Sequence, residues 1–396
     1  MVDYPTKPAR RHDIDWLRTL VVLLLIPFHT ARIFDTSKLF YVQNEVLSEK
    51  LTFWWIFIGH ALGMQLLFLL AGSTTWFALR YRKTGQYVKE RFLRLIVPLI
   101  FGVLIIVPPQ SYYGMLANTD FSGSIIEFYP RFFEVPEVAE GYTGGFTVAH
   151  LWFVLFLFLI SMVALPLFLF LKGENGARFV EGLGTFFAKP GAIFLLAIPL
   201  IVWDRLIDFN WNDFSLFLFF VVYYLSFFVY GYLLMTEARY WQTVDRYKKI
   251  ALILGPVLFV IVRGVQATGI MPPTLEKFIL HLYYRGTFPW LTLIALLGYG
   301  KKYLNAPSKF LNYFGEAAYP LYVLHQTVIV AIGYYVVQWD GSILVKYVTI
   351  TLAAFGVTTL LYEVLVRRNN FVRALFGMGP RRDLQKGILI GESIPE

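Results

Sequence analysis

The chain of 396 residues contains no cysteine. Disulfides, thiol nucleophiles and thiolate metal sites are therefore excluded. Charge is scarce too: Asp, Glu, Lys and Arg make up 15% of the residues, against 57% hydrophobic and 18% aromatic. Soluble domains carry roughly 25% charged residues, so the composition points to a polytopic membrane protein. Three local signatures of chemistry are missing as well. There is no GxSxG nucleophile elbow, no GxxxxGK[ST] phosphate loop and no HExxH metal pair. Nor is there an internal repeat, a low-complexity tract or a separate soluble domain.

What is present is a series of long apolar runs. Ten of them reach the roughly 20 residues that a hydrocarbon core requires: 15–34, 52–79, 92–114, 148–171, 191–209, 214–235, 249–268, 278–300, 316–338 and 343–366. The fifth carries Asp204, Arg205 and Asp208 near its end, and the eighth contains His281 and Arg285. The expected fold is an all-α polytopic bundle of about ten transmembrane helices at about 15–366, a single membrane domain over 1–396 with a tail at 367–396.

Orientation follows from the charges. With both termini cytoplasmic, 26 of the 35 Lys and Arg fall on the inner side, while the acidic residues divide 13 and 13. That asymmetry is the positive-inside bias. It accounts for the net charge of +9 and requires no nucleic-acid partner. The opening "KPARRHDIDW" and the run behind it resemble a secretory signal, but the run is long and no small-residue cleavage site follows. A retained first helix in a multi-pass cell membrane protein is expected. The longest external loop, about 115–147, holds Asp120, Glu127, Arg131, Glu134, Glu137 and Glu140 and ends in "GYTGG". It reads either as a surface cap or as a lid over an external site.

Ionisable groups at membrane depth are costly and face a bundle interior or a wet cavity. "RTLVVLLLIPFH" places Arg18 near the inner end of the first helix and His29 toward the outer end. Eleven residues is close to three helical turns, so both lie on one face, roughly 16 Å apart. Arg32 shares that face three residues on. Taken alone, Arg18 also fits a snorkelling anchor and His29 a neutral core histidine. Pro27 withdraws one backbone donor just before His29.

A second cluster, "RYRKTGQYVKERFLRLIVP", gathers Arg80, Arg82, Lys83, Lys89, Arg91 and Arg94 in one inner connection. Arg91 and Arg94 project to one side of the third helix at its positive dipole end. Guanidiniums at a helix N-terminus suit a polyphosphate. On charge alone, the cluster serves equally as a lipid-headgroup anchor. His60, His150, His281 and His325 are scattered over other segments. None has close metal-site spacing, so no metal is expected, and only a site assembled from different helices stays open.

These stretches resemble acyltransferase family three, integral membrane enzymes that modify carbohydrates outside the cytoplasm. "DIDWLRTLVVLLLIPFHTARIF" is similar to its first helix, and "MQLLFLLAGSTTWFALRYRK" to its second. "KERFLRLIVPLI" is similar to its RxxR motif, and "AAYPLYVLHQTVIV" to its late helix with a tyrosine and a histidine. "HLWFVLFLFLISM" resembles the branch related to glucan biosynthesis protein C, associated with succinyl transfer to periplasmic glucans. The resemblance implies His29 as the catalytic residue and Arg18 as its partner. It implies Arg91 and Arg94 at the acyl-coenzyme A donor, a co-substrate rather than a bound cofactor. His325 matches the late histidine.

The expected reaction moves an acyl group, acetyl or succinyl, from cytoplasmic acyl-coenzyme A to a hydroxyl of an extracytoplasmic glycan. Arg82 and Lys83 are further candidates for the donor site; His150, Arg32 and Asp35 are candidate accessory residues. Asp35, Asp204 and Glu316 are candidates for orienting His29, and a tryptophan indole or a hydroxyl for holding the oxyanion. A transporter or flippase for an anionic or lipid-linked solute explains the helices and inner charges equally well.

Overall fold

A computed structural model describes residues 10–37, 40–135, 141–206 and 213–381. Among them there are helices and turns but no strand. The helix α1 (His12–Ala31) is followed by α2 (Glu49–Ala61) and α3 (Met64–Tyr81). Helices α4 (Thr84–Arg91), α5 (Val97–Phe101) and α6 (Val107–Asn118) form one run, joined by π-helical turns at Phe92–Ile96 and Gly102–Ile106. The short α7 (Ile125–Phe128) lies in the loop beyond. Then come α8 (Trp152–Lys172), α9 (Glu174–Phe187), α10 (Ala197–Leu206), α11 (Asp213–Thr236) and α12 (Ala238–Ala267). Helix α13 (Pro273–His281) passes through a π-helical stretch, Leu282–Thr287, into α14 (Phe288–Tyr303). Finally come α15 (Lys309–Val336), α16 (Ile343–Leu361) and α17 (Asn370–Leu375).

Each of the ten apolar segments falls on helix. Among the described residues, seven helices are long and apolar enough to cross a bilayer; an eighth is added if the pair Glu174–Phe187 and Ala192–Trp203, bent by 119°, forms one span. The segments 278–300 and 316–338 are outside the seven, and for the second its packing explains why. It belongs to α15, which is covered by α1, α6 and α16 and carries buried His325, Gln326 and Tyr322. A helix sheathed by other helices need not be oily all round. The end of segment 191–209, with Asp208 and the side chains of Asp204 and Arg205, lies outside the described residues.

Segment 52–79 is expected as one helix but is two, broken at Leu62–Gly63. A Cβ on Gly63 would stand 2.3 Å from the carbonyl oxygen of Gly59, so only glycine permits this tight break. No described residue of α2 is buried, whereas α3 is buried along much of its length. In the loop expected to be external, Phe128 and Phe132 are fully covered. Asn118 Nδ2 donates to the carbonyls of Tyr41 at 2.9 Å and Gly114 at 2.8 Å. Glu137 and Glu140 lie outside the described residues. The expected tail does not begin as a free tail. Residues 370–379 fold back on the bundle, where Arg373 bonds Glu316 Oε1 at 2.8 Å and the Gly379 carbonyl at 2.9 Å.

Helices α3 and α11 cross in close backbone contact. A Cβ on Gly72 would lie 1.9 Å from the Phe228 oxygen, and one on Gly231 1.8 Å from the Leu69 oxygen. Ser73 Oγ donates to the Gly231 carbonyl at 3.0 Å across this seam. Without a hydrophobic force between helices in lipid, such small-residue contact holds them together. Gly231→Val has only backbone to push against. It is expected to cost about 3 kcal/mol or more, as severe overpacking does, read as a lowered melting temperature in detergent.

Candidate active site

The residues of interest lie on α1, α15 and the start of α8. The His29 and His325 ring centroids are 5.1 Å apart, and those of His325 and His150 are 5.2 Å apart. His325 thus contacts a histidine on each side. Both His150 and His325 are buried.

Hydrogen bonds to backbone fix two of the three tautomers. His325 Nδ1 lies 2.6 Å from the Tyr322 carbonyl oxygen, and His150 Nε2 lies 2.9 Å from that of Val323. A carbonyl only accepts, so these nitrogens carry the protons. The other nitrogens, His325 Nε2 and His150 Nδ1, are left as bare lone pairs with no partner. His29 Nδ1 is likewise buried and unpartnered. Buried polar groups are normally bonded; three unpartnered imidazole nitrogens in one cluster mark a functional site. Among the described residues, no group of three or more His, Asp or Glu is arranged to hold a metal.

Two cavities share Tyr322, and the first of them reaches the cluster. One of about 160 Å³ is lined by Phe28, His29 and His150 and by Gly59, Leu62, Gly63 and Met64 at the break between α2 and α3. The other, about 330 Å³, is lined by Arg18, Arg91, Arg94, Tyr319, Gly377 and Met378. Tyr322 lines both. Its hydroxyl donates to the His150 carbonyl, so it stands between the two spaces.

The arginines anticipated from the sequence do converge. Arg18 is held at 3.0 Å by Asp15, one turn earlier. Arg91 donates to Thr75 Oγ1 at 2.6 Å and lies over the Tyr87 ring. Arg94 is exposed and bonds to nothing among the described residues. Arg82 and Lys83 do not line this cavity. Arg82 pairs with Glu90 at 3.1 Å, and Lys83 is an exposed residue preceding α4.

The carboxylates serve other partners than the one proposed for them. Asp35 is fully buried and bonded to Arg32 at 2.5 Å and to the Ser37 amide at 2.8 Å. Glu316 pairs with Arg373. Neither orients His29. Arg32 also lies 4.1 Å over the Trp55 ring, anchoring the end of α1 to α2. His60 stacks on Tyr284 instead of joining the cluster. Tyr322, Gly63 and the pair Gly377–Met378 are site residues that the sequence reading missed. The only sequence trace of the break is the Gly59/Gly63 pair in "GHALG".

A family model described as an acyltransferase domain matches residues 11–363. Among curated proteins, the glucans biosynthesis protein C of Salmonella heidelberg (strain SL476) and that of Salmonella typhi are each 21% identical over 376 residues. These alignments cover 90% of this chain and 92% of each relative. No solved structure matches the chain.

Burying the Arg32–Asp35 pair makes each member dependent on the other. Asp35→Ala strips a buried guanidinium of its counter-charge, a loss expected to cost about 3–5 kcal/mol. Thermal unfolding in detergent should show it, with Asp35→Asn milder than Asp35→Ala.

Proposed function

The chain belongs to this acyltransferase family, and on that premise we propose that it moves a small acyl group from cytoplasmic acyl-coenzyme A to a hydroxyl of an extracytoplasmic carbohydrate. The acceptor reading is supported by the name of its glucan-biosynthesis relatives. The observation that carries the proposal is the pair of cavities meeting at Tyr322, with arginines in one and histidines in the other.

Arg91, Arg94 and Arg18 present three guanidiniums to the phosphates of the donor. The thin arm with its thioester would pass Tyr322 and place the acyl carbonyl beside His29. A cavity of about 160 Å³ has room for an acetyl or succinyl group. A bundle with both termini inside, its arginines inside and His29 reached from outside, fits the charge asymmetry. A transporter explains the helices but not membership of a family of transferases.

His29 takes the role of base. Turning its Nδ1–H to the bare Nε2 of His325 leaves its own Nε2 free for the acceptor hydroxyl, so an imidazole here serves where a carboxylate would orient the base. The hydroxyl oxygen forms a bond to the acyl carbon, the carbonyl electrons move onto oxygen, and His29 receives the proton. The carbonyl then re-forms, the carbon–sulfur bond breaks, and the departing thiolate takes the proton from His29. An acyl-His29 relay is the other route, separated from direct attack by incubating labelled donor without acceptor.

Purified protein in vesicles, with labelled acyl-coenzyme A inside and a glucan outside, tests the reading. His29→Ala should lower transfer about 10²-fold or more, the usual weight of a general base. Undiminished transfer would rule out this mechanism. Arg91→Ala and Arg94→Ala should raise KM for the donor about tenfold each, with kcat little changed, because each removes a charge-assisted bond that does not involve the reacting atoms.

A further inference from the structure

We infer that Gly377 is a positioning residue of the donor site: it seats the returning tail on the backbone of Arg94 and so fixes where that guanidinium stands in the cavity. The inference rests on the acyl-coenzyme A reading of that cavity.

Of the three arginines lining the 330 Å³ cavity, two are held by their own neighbours. Arg18 pairs with Asp15 at 3.0 Å, and Arg91 donates to Thr75 Oγ1 at 2.6 Å. The Arg94 side chain has no such hold among the described residues, so its placement depends on its backbone. That backbone is irregular. Arg94 lies in the π-helical turn Phe92–Ile96, and the fourth residue on is Pro98. Proline has no N–H to give the Arg94 carbonyl, and its ring crowds that oxygen. Turns of this kind interrupt the regular helical ladder and are frequent at functional sites. The helix alone therefore does not set Arg94 as firmly as it sets Arg91.

Gly377 supplies the missing contact. It closes the end of α17, where its N–H bonds the Ala374 carbonyl at 2.9 Å and the Met378 N–H bonds the Arg373 carbonyl at 2.9 Å. That pair of bonds calls for a left-handed residue, and Gly377 has φ +65°. A Cβ on Gly377 would stand 2.6 Å from the Arg94 carbonyl oxygen, 3.0 Å from Arg94 Cα and 2.9 Å from the Pro98 ring. Only a residue without a side chain lets tail and turn touch this closely. Two anchors keep the tail in place. Arg373, 6% exposed, bonds Glu316 Oε1 on α15 at 2.8 Å, and the Phe376 ring packs edge-on against Phe101 on α5, 5.5 Å between centroids. Gly377 and Met378 also line the cavity, so the tail forms part of its wall beside Arg94.

Asparagine accepts the left-handed conformation, so Gly377→Asn keeps the turn and adds the side chain to which Arg94 must yield. In the vesicle assay it is expected to raise KM for acyl-coenzyme A about tenfold, as Arg94→Ala does, with kcat within a few-fold. A double-mutant cycle supplies the distinguishing readout. Added to Arg94→Ala, Gly377→Asn should raise KM no further. Added to Arg91→Ala, it should multiply the loss in full. An unchanged KM in Gly377→Asn, or the same factor in both backgrounds, overturns the inference, because a general disturbance of the fold does not single out Arg94. If Gly377→Asn does not fold, Glu316→Gln, which weakens the tie to Arg373, carries the same cycle with the same two outcomes. Failure of the donor reading is seen separately, as wild-type protein with no saturable dependence on acyl-coenzyme A or Arg94→Ala with an unchanged KM.

Discussion

The bond from the His325 Nδ1–H to the Tyr322 carbonyl, 2.6 Å long, decides which edge of that imidazole stays bare. Around it the backbone closes a reciprocal lock: Tyr322 donates to the His150 carbonyl, while His150 donates to the carbonyl of Val323. Two segments 173 residues apart in sequence are thereby pinned side by side. In hydrocarbon no water competes for these groups, so each bond is strong and its loss is expensive. The lock leaves one nitrogen of each of these two histidines unpartnered.

The chain spends its buried charges in the same economical way. Arg32 and Asp35 neutralise each other within one turn at the end of α1. Glu316 binds Arg373 and so ties α17 back to α15. Tyr313, Glu363 and Arg367 form a third local set. Arg91, bonded to Thr75, and Arg94 have no carboxylate partner, and neither has the histidine cluster. The proposed reaction, with an anionic donor and a neutral hydroxyl, uses those two places unneutralised.

Much of the architecture was legible because hydrophobic length is a local signal. Arg18, His29, Arg91 and Arg94 were legible for the same reason: a charge in an oily run stands out. The break at Gly63 did not, since apolarity continues through "GHALGMQLL" and only backbone packing against Gly59 reveals it. The orienting carboxylate was misjudged because pairing across helices leaves no trace in one sequence. Asp35 found a partner three residues away, and Glu316 found one on the folded tail. His150 and His325, unremarkable in their own segments, became informative only when α8 and α15 placed their rings 5.2 Å apart.

Helix α15 carries, in order, Glu316 at the folded tail, Tyr319 and Tyr322 along the cavities, and His325 in the cluster. Nine residues of α-helix set a rise of roughly 13 Å between the first and the last. With the donor proposed above, this one helix, which carries Pro320 between the two ends, would act as a gauge. A carrier whose arm is too short would leave its carbonyl beside the tyrosines; one too long would drive it past the imidazole. Selection among thioesters would then fall first on the handle common to all of them, and only then on the group being delivered.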